Sequence, residues 1–112
     1  MRMWYILLAF GAIFFSLFLL NRDYLASYAW SQYQNAGIAT LLTNDAELAM
    51  LIGDYHFNQI VHDLKIAEKA FRKAILLEPN IPRGHYQLAR LYFTQGKSEE
   101  ALREIEDELR IY

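Results

Sequence analysis

Residues 67–105 read AEKAFRKAILLEPNIPRGHYQLARLYFTQGKSEEALREI. Ala67, Phe71 and Ala74 recur at helical spacing and stop at Pro79. Leu88-Ala89 and Tyr92 follow the same period up to Gly96, after which Ala101 and Ile105 resume it. Proline and glycine punctuate helices, so the stretch reads as helix, turn, helix. Upstream, Ile52-Gly53 precedes Ala67 and Phe71 much as Leu88-Ala89 precedes Ala101 and Ile105. The same unit therefore occurs twice, and self-similarity of this period marks a stacked helical array.

The physical logic of the pattern is close approach. Small residues at Gly53, Ala67, Ala89 and Ala101 let the two backbones of a hairpin come together, while Phe71, Leu77, Leu88, Tyr92 and Ile105 fill the space between them. Neither hairpin can bury its apolar face alone, so stability has to come from stacking.

These residues resemble the tetratricopeptide repeat, a helical hairpin of 34 residues. With Pro79 at that family's closing proline, Ala67, Phe71 and Ala74 take the small, aromatic and small positions of the second helix, and Leu77 the apolar position before the proline. The next unit starts at Pro82 without a gap. Leu88, Ala89 and Tyr92 match its first helix, Gly96 its turn and Ala101 its second helix. The departures are specific: Gln59-Ile60-Val61-His62-Asp63 replaces the tight glycine turn, His56 stands where tyrosine is common, His85 takes a tryptophan position, and Glu108 replaces a small residue. The fold class expected is all-α, with a repeat domain over 45–112 built of units 46–81 and 82–112. Two repeats fall short of the three or so needed for an independent array, so a connector helix, a membrane surface or a partner must complete the stack.

Outward from the repeats the composition changes. Of 24 charged residues only Arg2, Arg22 and Asp23 precede Asp45. Trp4 through Leu20 is a 17-residue run without a charge, with eleven Leu, Ile or Phe. These favour bilayer insertion by about 3 to 7 kcal/mol. Trp4 and Tyr5 stand before the run and Tyr24, Tyr28, Trp30 and Tyr33 after it, as in interfacial aromatic belts. We therefore expect a single-pass membrane helix over residues 1–23. Two alternatives stand beside it. A cleaved signal peptide would use Ser27-Tyr28-Ala29, although the apolar run exceeds an ordinary h-region. A buried soluble helix would show a polar stripe, and this run has none. Arg2 and the terminal amine against Arg22 place the amino terminus in the cytoplasm and the repeats on the outer side.

Residues 24–44 form an uncharged connector, too polar for a second span, expected to be helical with a break or bend near Gly37. Asn44, followed three residues on by Glu47, reads as the cap of the next helix.

Charge and motif content narrow the function. A net charge of -2 argues against a nucleic-acid binder relying on phosphate neutralisation. The chain has no cysteine, and no nucleophile motif or Walker-type loop occurs. His56, His62 and His85 lack metal-ligand spacing, so neither catalysis, a cofactor nor a metal is expected. The resemblance implies a groove lined by the first helices: Glu47, Met50, Asp54, Phe57 and Asn58 in one unit, Arg83, Tyr86, Arg90, Phe93 and Thr94 in the other. These would bind a protein partner, or merely pack on the connector and on one another. Lys65, Lys69, Arg72 and Lys73 with Glu68 carry +3, whereas Glu99, Glu100, Glu104, Glu106, Asp107 and Glu108 with Arg103 carry -5. The simpler reading is solvated faces with modest inter-repeat ion pairs. The sharper one is a head-to-tail homo-oligomer or an oppositely charged partner.

The leading expectation is a membrane-anchored adaptor or assembly factor. A second is a structural subunit of a large membrane complex, held by a Phe10, Phe14, Phe18 stripe packed on other spans. A third is a secreted module released by cleavage.

Overall fold

The computed structural model describes residues 2–111; Met1, Tyr112 and the side chain of Tyr33, all named within the expectations above, lie outside the described residues. Among these residues the chain forms seven helices and no strand: α1 (Met3–Leu20), α2 (Arg22–Tyr33), α3 (Ala36–Leu42), α4 (Ala46–Phe57), α5 (Leu64–Leu77), α6 (Gly84–Thr94) and α7 (Ser98–Ile111). The fold is all-α and tetratricopeptide-like, with an apolar helix at its start.

Short polar side chains set the helix starts. Asn35 accepts from the Ile38 N–H at 3.0 Å, Asp45 from Glu47 at 3.0 Å and Asp63 from Ile66 at 3.2 Å. Each satisfies a donor that the first helical turn leaves orphaned. The cap of α4 is thus Asp45 and not Asn44, whose own N–H donates to the Asp23 carboxylate. The connector breaks at Gln34-Asn35, where Gln34 takes a left-handed conformation (φ 53) that closes α2. Gly37 lies inside the first turn of α3, because the Asn35 cap starts the helix before it. In the 58–63 turn, Asn58 Oδ1 accepts from both Ile60 and Val61 at 2.9 Å, and this pair of bonds replaces the missing glycine turn.

The connector is therefore a hairpin. Arg22 at the start of α2 donates through Nε to the Leu42 carbonyl at the end of α3, 2.9 Å away, so the two helices run antiparallel. Trp30, Ala36 and Ala39 cover Ile52 of α4 and Ala70 of α5. Burying Ile52 alone is worth roughly 1.5–3 kcal/mol. Trp30 is accordingly a core residue and not a member of an interfacial belt: its ring meets Tyr55 edge-on at 5.2 Å and His56 at 5.7 Å. Tyr24 and Tyr28 remain exposed. Helices α2–α3 thus cover one face of the α4–α5 pair.

The main core lies between α4–α5 and α6–α7 and contains Phe71, Leu88, Leu91 and Tyr92. Ile105, expected to fill a hairpin, is 41% exposed on α7. It lines a hollow together with Tyr86, Ala89 and Phe93 of α6. Helix α1 meets α2 and, among the described residues, has no buried residue. It is long and apolar enough to cross a membrane, a test that a signal sequence also passes.

Candidate partner-binding groove

Helices α4 and α6 line the candidate groove. A hydrogen-bond relay links them. Gln87, buried on α6, donates through Nε2 to Asp54 Oδ1 of α4 at 2.6 Å, and its Oε1 accepts from Arg90 Nη1 at 2.9 Å. A bond of this kind to a charged group is worth roughly 1.5–3 kcal/mol, and it fixes the separation of the two helices. The Arg90 guanidinium also lies over the Phe57 ring at 5.3 Å and the Tyr86 ring at 6.0 Å. Each such contact contributes about 0.5–2 kcal/mol, depending on desolvation. These contacts hold the Arg90 guanidinium between α4 and α6.

Three hollows flank this arrangement. One of about 450 Å³ is lined by Glu47, Met50, Asp54, Ile81 and Arg83. A second, about 240 Å³, lies against Phe57, Asn58 and the Arg90 side chain. A third, about 230 Å³, is bounded by Tyr86, Arg90, Phe93 and Ile105. Arg90 borders two of the three.

The expected site residues divide into two groups. Asp54, Phe57, Tyr86 and Arg90 converge on one network. Phe93 stands beside it, 72% exposed. Met50 is 8% exposed and belongs to the core, with only its edge at the first hollow. Asn58 spends its carbonyl oxygen on the turn. Arg83 has a left-handed backbone (φ 68), and its N–H donates to Glu108 Oε1 at 3.1 Å. Gln87 was missed. Its signal was a polar residue on the inward face of α6, one position before Leu88 and four before Leu91, where an unpaired amide would be costly.

The charged helices behave differently from the expectation of inter-repeat pairs. Among the described residues no ion pair joins α5 to α7. Arg72 pairs within α5 to Glu68 at 3.2 Å, and Arg110 within α7 to Asp107 at 3.3 Å. The reason is local: α7 turns its acidic side to the start of α6, where Glu104 meets His85 Nδ1 at 2.6 Å. His85, Glu104 and Asp107 bring potential metal-ligand atoms within 4.8 Å of one another, but Glu104 and Asp107 are already engaged by His85 and Arg110.

Behind the groove, Tyr92 donates its hydroxyl to Glu68 Oε1 at 3.1 Å and receives a bond from Arg72. Burial, reinforced by the Glu68 carboxylate and opposed by Arg72, pushes its pKa up to about 12. This phenol ties α5 to α6 as a neutral donor.

No curated protein is significantly similar to the chain. The sequence model of the tetratricopeptide repeat family matches residues 70–103, from the second half of α5 through α6 into α7. Repeats of this kind are typically non-catalytic protein-interaction modules, and over this stretch the chain is similar to that family.

Proposed function

We propose that the chain is a membrane-anchored adaptor or assembly factor that holds a protein partner in the α4–α6 groove. The observation that carries this reading is the pre-ordered Arg90. It is braced by Gln87 and two aromatic rings and flanked by exposed Tyr86 and Phe93. Aromatic residues and arginine are the usual anchors of protein contacts. An arginine already held in place loses little entropy on binding.

Support for an uncleaved anchor comes from α2. A cut after Ala29 would remove Arg22, Asp23 and Ala26, the residues that close and fill the α2–α3 hairpin. Helix α1, about 27 Å long at 1.5 Å per residue, approaches the hydrocarbon thickness of a bilayer.

The test is photocrosslinking in native membranes from a probe at Phe93, with affinity purification in mild detergent. A discrete crosslinked protein, lost in Arg90→Glu while helicity is retained, is the expected result. A monomer without crosslinks would refute the groove.

The exposed apolar α1 favours a second reading, a structural subunit whose Phe10, Phe14 and Phe18 pack on other spans. Substituting that stripe with leucine would then release the protein from its complex, and Arg90→Glu would not.

A further inference from the structure

Three independent observations converge on the surface formed by α3 and α5. The first is topological. Arg22 binds the Leu42 carbonyl, so the end of α3 lies beside the start of α2, two residues beyond the last residue of α1. If α1 lies in lipid, α2 leads away from the membrane and α3 returns to it. Helix α5 runs parallel to α3: Ile66 lies with Ala36 and Gly37 in one hollow, while Lys73 and Leu76 lie with Leu41 in the next. The carboxyl-terminal half of α5 therefore returns to the membrane as well.

The second observation is apolar exposure at that end. Leu41 is 71% exposed and Leu76 76%, and both line the same hollow. The third is charge. Lys65, Lys69 and Lys73 follow one another at intervals of four, one stripe along α5, and none of them has an ion-pair partner among the described residues. Lys69, Lys73 and Arg72 border the hollow that holds Leu41 and Leu76. The acidic helix α7 packs on α6 at the other end of the array, away from this stripe.

We propose that this α3–α5 surface is a second membrane contact. Leu41 and Leu76 enter the interfacial layer, and Lys69 and Lys73 bind anionic lipid headgroups. The proposal rests on the anchoring of α1 described above. Exposed leucines flanked by lysines suit this layer, because the aliphatic stems lie along apolar surface while the ammonium groups reach the headgroups. Polybasic attraction falls off within a Debye length, so it requires the proximity that α1 and the α2–α3 hairpin provide. The consequence is a repeat domain seated in a fixed orientation, its groove turned to one side.

The absence of cysteine allows a single reporter to be introduced. The full chain, one copy per lipid nanodisc, carries an environment-sensitive fluorophore at Leu76→Cys or at Phe14→Cys. Discs are made of phosphatidylcholine alone or with one third phosphatidylglycerol. The expected result is a Phe14 probe in the acyl region of both discs. The Leu76 probe blue-shifts only in anionic discs, reverts in high salt, and loses most of its docked fraction in Lys69→Gln/Lys73→Gln, with the helical spectrum unchanged. A Phe14 probe in water would overturn the anchor and the proposal with it. A lipid-embedded Phe14 probe with a Leu76 probe indifferent to lipid charge would overturn the surface contact and leave the anchor standing. A Leu76 response that appears only when two copies share a disc would assign the surface to protomer contact and overturn the lipid assignment.

Discussion

Replacing Gly53 by alanine should destabilise the repeats, although alanine is the better helix former. A Cβ on Gly53 would fall 2.4 Å from Cε1, 2.5 Å from Cδ1 and 2.9 Å from Cζ of Phe71. Phe71 is fully buried and lies against Phe57 at 6.1 Å, so its ring has little room to retreat. Overpacking of this kind costs about 1–3 kcal/mol, and three ring atoms at such distances place the cost at the upper end. Helix propensity returns about 1 kcal/mol. The net loss is then about 1–2 kcal/mol, a fall in melting temperature of roughly 4–16 °C for a domain this small. The assay is thermal and urea unfolding of the full chain in mild detergent, followed by circular dichroism, as a cycle with Phe71→Leu. A smaller residue at 71 relieves the collision, so Gly53→Ala should be neutral or stabilising in that background, with a coupling of at least about 1 kcal/mol. If Gly53→Ala raises stability by itself and the two changes are additive, the close approach of α4 to α5 is wrong.

Other perturbations test the remaining parts. Asn35→Ala removes the α3 cap and should cost about 1 kcal/mol, with faster amide exchange in α3; unchanged exchange would remove Asn35 from the hairpin. Gln87→Leu leaves Asp54 without its partner and frees Arg90, so it should weaken partner recovery nearly as far as Arg90→Glu, and full recovery would show that the relay does not shape the groove. Tyr92 holds its proton more tightly folded than unfolded, so its contribution is complete below pH 10 and is lost as pH rises from 10 to about 12. Alkaline unfolding curves of the wild type and Tyr92→Phe should therefore converge over that interval, and parallel curves would contradict a buried neutral phenol.

Ala67, Phe71, Ala74 and Pro79 were enough to place α5 and its end, because small and large residues at helical spacing can be satisfied in few ways other than a close-packed hairpin. The apolar character of α1 was equally plain, since it depends on composition alone. Trp30 could not be placed in the same way. An aromatic residue ten positions beyond an apolar run suits an interfacial belt or a core equally, and only the fold of α2 against α4, closed by Arg22 on the Leu42 carbonyl, decided between them. The groove shows the same division. The sequence marked Asp54, Phe57, Tyr86 and Arg90 as one surface, but their convergence depends on Gln87, 33 positions from Asp54, and on the separation of two helices. Local periodicity determines which face of a helix is apolar; which residues meet across that face is set by long-range packing, which no short window of sequence contains.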